Sequence, residues 1–123
     1  RLAMILAVLE ARCGLSFSTC EVYLNIAGGY RLSDPAADLA VAAALVSALS
    51  EQPVPATSIA FGEISLSGEV RPVSLAGLRL KEAAKLGFEQ ALAPAATREE
   101  QGGLHITGFS KLGGMVDLLL RRG

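Results

Sequence analysis

Tryptophan is absent from this 123-residue chain, and four Phe and two Tyr are its whole aromatic complement. Because 51% of the residues are nevertheless apolar, the core has to be built from Ala, Leu, Val and Ile. An excess of one charge is also missing: 11 Lys and Arg stand against 12 Asp and Glu. That balance excludes a disordered acidic or basic tail and excludes nucleic-acid binding by bulk charge, while leaving room for a local basic patch. No long hydrophobic run is present. The longest, Leu39 to Ser50 between Asp38 and Glu51, falls short of the roughly 20 residues of a membrane-spanning helix and reads as a buried core helix. No basic segment followed by an apolar stretch and a small-residue cleavage site points to secretion, so a cytoplasmic location is expected. Cys13 and Cys20 match no metal spacing; a disulfide between them is available, but two free thiols in a reducing compartment is the expected state.

The length suits one domain over residues 1–123. The chain opens on Arg1 inside an apolar periodic run, which leads us to expect a fragment of something longer. Leu2, Ile5, Leu6 and Leu9 recur at helical spacing, predicting a helix from Leu2 to Arg12 stopped by Gly14. Cys20 to Ala27 alternates apolar and polar residues as a half-exposed strand, broken by Gly28-Gly29, with Tyr30 to Leu32 extending it after a bend. Asp34 and Pro35 are good N-cap and first-turn residues for a main helix reaching about Ser50, its Ala-rich face asking for close packing. Strands are predicted over Thr57–Phe61 and Glu63–Val70, with Gly62 as a bend and Gly68 as a tight turn. A helix over Ala76–Leu86, short strands over Phe88–Ala93 and Leu104–Thr107, and a C-terminal helix capped by Ser110 complete the pattern. Helices alternating with strands make this an α/β (α+β) domain, a small mixed sheet packed with helices.

Chemistry-bearing residues are few. His105 is the single histidine, with no cysteine or carboxylate cluster beside it, so no zinc site is expected. None of the Gly-Gly pairs continues into a phosphate-binding loop, so this chain alone should neither hydrolyse ATP nor hold a cofactor. What stands out is the helix start Asp34-Pro35-Ala36-Ala37, which faces a second helix bearing Arg79 and Lys81 across a glycine-marked hairpin. A helix N-terminus suits a nucleophile or an anion, yet its exposed first-turn position here carries the inert methyl of Ala36.

These residues carry a resemblance. The runs from Arg31 to Ala40, Ala44 to Leu49, and Phe61 to Val73 resemble the proteolytic domain of Lon proteases, whose fold is that of ribosomal protein S5 domain 2. The Lon motif Gly-Pro-Ser-Ala-Gly aligns with Asp34 to Asp38, and its Thr-Gly-Glu-Ile-x-Leu-x-Gly-x-Val hairpin with Phe61 to Val70. The resemblance puts the family's Ser nucleophile on Ala36 and its Lys base on Arg79. A Lys amine made neutral by desolvation can take the serine proton, whereas a guanidinium stays protonated. Both dyad partners are therefore missing, and no peptidase activity is expected.

Gly28 to Ala40, Gly62 to Val73 and Glu82 to Phe88 are similar to the degenerate Lon-like C-terminal domain of the RadA (Sms) family of bacterial DNA-repair ATPases. That resemblance implies a parent with a four-cysteine zinc finger and a RecA-like ATPase, so Zn, Mg and ATP belong to parts absent here. It implies recombinational repair and branch migration by a homo-oligomeric, hexameric ring, with this domain as assembly scaffold and DNA-contact surface. Arg31, Arg71 and Arg79 are the candidate DNA contacts, unless they pair with Asp34, Asp38, Glu63 or Glu69. The N-terminal helix (Leu2, Ile5, Leu9) and the C-terminal helix (Leu112, Val116, Leu119) either form subunit contacts or pack within the domain. Two alternatives stay open: a scaffold that never touches DNA, and a peptidase with a relocated dyad drawn from Ser33, Ser65, Ser67 or Ser74 with Lys81.

Overall fold

The computed structural model describes residues 2–14, 34–52, 54–97 and 103–121. The predicted strand from Cys20, the Gly28-Gly29 break, Arg31, Ser33 and the polar stretch 98–101 lie outside the described residues. Helix α1 spans Leu2–Cys13 and closes at Gly14, whose φ of 70° supplies the left-handed cap. A single 3-10 turn, Pro35–Ala37, leads into α2, Asp38–Ser50. The strands are β1 (Ser58–Ala60), β2 (Glu63–Ile64), β3 (Val70–Arg71), β4 (Gln90–Pro94) and β5 (His105–Phe109). Helix α3 covers Ala76–Lys85 and α4 covers Leu112–Arg121.

The sheet is parallel in the order β1-β4-β5, with Ala60 opposite Leu92 and Leu92 opposite Thr107. Side chains alternate across it. Leu92 joins a core with Ile5, Leu9, Leu39, Val46 and Met115, under α1, α2 and α4. Ala91 and Ala93 turn to the other face and meet Phe61, Leu80, Ala83 and Leu104, under α3. Helix α2 is apolar around most of its circumference and lies in the middle of the larger core, as such a composition demands. Gly108 is needed at the β4–β5 contact, because a Cβ there would stand 2.9 Å from the Ala95 Cα.

Three expectations need correction. The main helix does not begin as an α-helix at Asp34–Pro35; the 3-10 turn comes first and α2 starts at Asp38. Glu63–Val70 is not one strand but an antiparallel hairpin pairing Glu63 with Arg71 and Ile64 with Val70. Its turn is closed by the Gly68 N–H donating to the Ser65 carbonyl at 3.0 Å. The C-terminal helix starts at Leu112, beyond Ser110, because residues 110–112 pair with the hairpin instead. Val70 N–H donates to the Ser110 carbonyl and Leu112 N–H to the Gly68 carbonyl. Among the described residues the remaining helices and strands lie within a few residues of where the sequence places them, and the α/β class with a small sheet under helices is observed. Among the described residues no helix is long and apolar enough to cross a membrane.

One buried carboxylate ties the hairpin to α2. Asp38 is 2% exposed, and its Oδ2 accepts the Ile64 N–H at 3.0 Å. Asp38→Ala strands that amide in the core and should lower stability by about 1–3 kcal/mol, read as a lower urea midpoint at unchanged slope. Faster exchange of the Ile64 amide should accompany it; an unchanged midpoint would show that the bond contributes nothing.

Candidate functional site

The helix start at residues 34–39 is held by its own chain. Asp34 is extended (φ −86°, ψ 114°), and its Oδ1 accepts the Ala36 N–H at 3.0 Å. Its carbonyl accepts the Ala37 N–H, the Pro35 carbonyl accepts the Asp38 N–H, and the Gly62 carbonyl accepts the Leu39 N–H. Every amide that an anion would use is therefore engaged, which corrects the expectation that this helix N-terminus attracts phosphate. Ala36 is buried, and it lines a recess of about 220 Å³ with Asp34, Pro35, Glu63, Pro72 and Ser74.

Arg79 reaches the same place from α3. Its Nη2 lies 3.8 Å from Asp34 Oδ2, and its Nε donates to the Ser74 carbonyl at 3.2 Å. The two degenerate dyad positions, Ala36 and Arg79, are thus brought together through Asp34, which caps with one oxygen and pairs with the other. Leu75, between Ser74 and α3, adopts φ 61°, ψ 31°, a left-handed conformation uncommon for a non-glycine residue. Its carbonyl accepts the Arg79 N–H at 2.9 Å, so the turn and the guanidinium hold one another.

Arg71 lies on β3 and pairs with Glu69 at 3.6 Å, both side chains more than half exposed. It lines a second recess, about 440 Å³, with Glu69, Pro72, Pro94 and Ser110. Arg71 and Arg79 therefore each have a carboxylate of their own, the bland alternative that the sequence left open. Arg31 lies outside the described residues.

The relocated-dyad materials are arranged otherwise. Ser65 and Ser67 share a 2.9 Å hydrogen bond on the hairpin, and Ser67 donates to Glu69. Lys81, the amine that dyad would need, is exposed on α3, and its neighbour Lys85, outside that set, pairs with Glu82 along the helix. His105 is exposed on β5, and no group of His, Cys, Asp or Glu that could hold a metal occurs among the described residues. Cys13 is a free thiol whose pKa is pushed up by burial and further by the Asp117 carboxylate, so its reactive thiolate form is suppressed.

The two helices offered as subunit contacts bury most of their stripe residues inside the domain, with Leu120 of α4 left exposed. Ile5, Leu9, Leu112, Val116 and Leu119 are all buried in the larger core. The sequence suggested Ser74 only as a relocated nucleophile and Glu63 only as an arginine partner; in the structure the Ser74 carbonyl anchors Arg79 and Glu63 lines the Ala36 recess. The motif Phe61 to Val70 contains Glu63, but nothing in its spacing says which way that side chain points.

A sequence family described as "Subunit ChlI of Mg-chelatase" matches residues 3–97, and the chain belongs to that family. Within it, the chain is similar to a segment of proteins named DNA repair protein RadA. It is 63% identical to that of Brucella abortus (strain 2308) over 99 residues, 80% of this chain and 21% of the relative. Identity to the Rickettsia felis protein is 59% over 92 residues, 75% of this chain and 21% of that one. The Aquifex aeolicus protein is 44% identical over 119 residues, 97% of this chain and 27% of the relative. The chain thus spans about a fifth to a quarter of the length of these curated relatives.

The two jobs of Asp34 are separable. Asp34→Asn keeps a capping oxygen and removes only an exposed ion pair, worth about 0–1 kcal/mol. Asp34→Ala also removes the cap and should cost about 0.5–2 kcal/mol. Thermal unfolding should rank wild type and Asp34→Asn together and Asp34→Ala below them. The reverse order would mean that the Arg79 pair, not the cap, stabilises the helix start.

Proposed function

We propose that this chain is a proteolytically inactive module of a DNA-repair protein, serving as an assembly scaffold and DNA-contact surface during recombinational repair and branch migration. The repair role is carried over from the relatives named DNA repair protein RadA. The ATPase, with its zinc, magnesium and ATP, belongs to the longer protein that such relatives represent. One observation carries the inactivity: a methyl group and a guanidinium held by Asp34 occupy the positions where a Ser–Lys dyad would stand.

Electrostatics supports the same reading. A Lys in place of Arg79 would sit beside the Asp34 carboxylate, and an opposite charge at that range favours the protonated amine. A protonated amine cannot accept the serine proton. Ala36→Ser combined with Arg79→Lys should accordingly yield no peptide hydrolysis above the unmodified chain and no labelling by a serine-reactive fluorophosphonate. Labelling of the double variant alone would overturn the electrostatic argument, and labelling of the unmodified chain that is lost on substituting Ser65, Ser67 or Ser74 would end the inactive-module reading.

DNA contact rests on Arg31, Arg71 and Arg79. The Arg71 and Arg79 pairs are loose and partly solvated, so a phosphate can replace the carboxylate at small cost. Binding through so few cations is weak and falls steeply with salt. Charge reversal at Arg31 and Arg71 should weaken DNA binding by the full-length protein and flatten its salt dependence, measured by fluorescence anisotropy at two ionic strengths. Unchanged binding would leave the second reading, a scaffold without DNA contact. That reading is favoured by the carboxylate partner each described arginine already has.

A further inference from the structure

Not every surface cation has a carboxylate partner. Among the described residues Arg12, Lys81 and Lys111 are exposed and make no ion pair, unlike Arg71, Arg79 and Lys85. Two of the three meet at the β2–β3 hairpin. The antiparallel bridge between Glu69 and Lys111 sets these residues directly opposite each other, between the Val70-to-Ser110 and Leu112-to-Gly68 hydrogen bonds. Residues so opposed project to the same side of the ladder, and Arg71, two positions from Glu69, projects there too. Val70 between them is buried, and Arg71 comes within 3.6 Å of Glu69. Arg12 arrives from the last turn of α1. Its Cβ and Cγ lie against Gly68, 3.5 and 3.4 Å from where a Cβ would stand.

Three elements thus deliver Arg12, Arg71 and Lys111 to residues 68–71. Glu69, in their midst, is already engaged by Arg71 and by the Ser67 hydroxyl at 3.1 Å. Asp117, the carboxylate felt by Cys13 at the end of α1, makes no ion pair with Arg12 or Lys111 among the described residues. Glu63, opposite Arg71 across the hairpin, lines the Ala36 recess. That recess has the reverse balance, with Asp34 and Glu63 beside one guanidinium, Arg79. A phosphate approaching Arg79 meets two carboxylates, whereas at Arg12 and Lys111 it meets cations with no ion pair to break. Long, exposed side chains set around an open turn suit the successive phosphates of a strand better than one enclosed anion.

We propose that Arg12 and Lys111 act with Arg71 as contacts to the phosphates of a DNA backbone. This rests on the DNA-contact reading above and extends it to two residues on α1 and at the entry to α4.

Duplex DNA binding by the full-length protein, followed by fluorescence anisotropy across a salt series, tests it in Arg12→Gln, Lys111→Gln and Lys81→Gln. Each of the first two should weaken binding about 5- to 10-fold near ~0.1 M salt. Each should also flatten the slope of log affinity against log salt by about 0.9, the loss of one phosphate contact. Lys81→Gln makes the same change of charge on α3 and should bind like the unmodified protein, as should Lys111→Arg. Circular dichroism checks that every variant stays folded. If Arg12→Gln and Lys111→Gln change nothing while reversal at Arg31 and Arg71 weakens binding, this surface is overturned and the DNA-contact reading stands. Equal weakening by Lys81→Gln would reveal an effect of net charge alone and would also overturn it. Binding that neither these variants nor the Arg31 and Arg71 reversal alters would remove DNA contact by this domain altogether.

Discussion

The peptide group of Gly62 is the joint on which the site's geometry depends. Its N–H donates to the Ala36 carbonyl at 2.9 Å, and its carbonyl accepts the Leu39 N–H at 3.0 Å. A strand end is thereby bonded on both sides to the first turn of α2. Two residues on, the Ile64 N–H is taken by the buried Asp38 carboxylate, so the hairpin is fixed to the same helix. The approach is too close for a side chain: a Cβ at Gly62 would stand 3.1 Å from Val70 Cγ1 and 3.5 Å from Leu39 Cβ. Helix start, strand end and hairpin thus form one unit, and the recess beside Ala36 takes its shape from them.

Within that unit the charges are arranged for structure rather than for proton transfer. A general base must be able to lose its proton near neutral pH, which for an amine requires a dry site without a nearby anion. Here the cation is a guanidinium, a third exposed, facing a carboxylate and tied to a backbone carbonyl. A guanidinium does not give up its proton at any usable pH. The same features serve local stability, because Arg79 bridges the Asp34 cap to the left-handed turn at Leu75, and Asp34 in turn orders the entry into α2. The ion pair itself contributes little free energy at such exposure, and the capping bond from Asp34 Oδ1 to the Ala36 N–H carries more of the local order.

Much of this was legible in the residues. The periodicity of α1, the caps at Asp34 and Gly14, the turn at Gly68 and the proline that ends β4 are local signals, and they place their elements to within a few residues. The juxtaposition of Ala36 and Arg79 was also anticipated, through motif resemblance rather than through spacing. What could not be read is what depends on distant partners. Ser110 has the chemistry of a helix cap, but the hairpin takes its carbonyl, and the helix begins two residues later. Asp38 looks like a first-turn acid facing solvent, yet it is buried because Ile64, far away in sequence, presents an amide to it. Leu75 has no propensity for the left-handed region, and nothing in the local sequence announces that it adopts it between Ser74 and α3. The apolar stripes of α1 and α4 were read as available to a partner, and their periodicity could not say that they pack on α2.

The division of the core explains why leucines remain outside. One face of the sheet receives three helices and carries Leu92 into a core rich in Leu, Ile and Val. The other face presents only the small Ala91 and Ala93 to a single helix. Leu80 and Ala83 of α3 fill that face together with Phe61 and Leu104, and Leu78 on the outer side of the helix stays half exposed. A solvent-facing helix ordinarily places charged and polar residues there. Leu78 and Leu86 depart from that rule at positions where folding asks for nothing apolar, and Leu75 joins them by adopting a backbone conformation unusual for its type. Leu78 and Leu86 therefore stand on the solvent side of α3, whereas the stripes of α1 and α4, which periodicity made the more conspicuous, are the ones the core consumes.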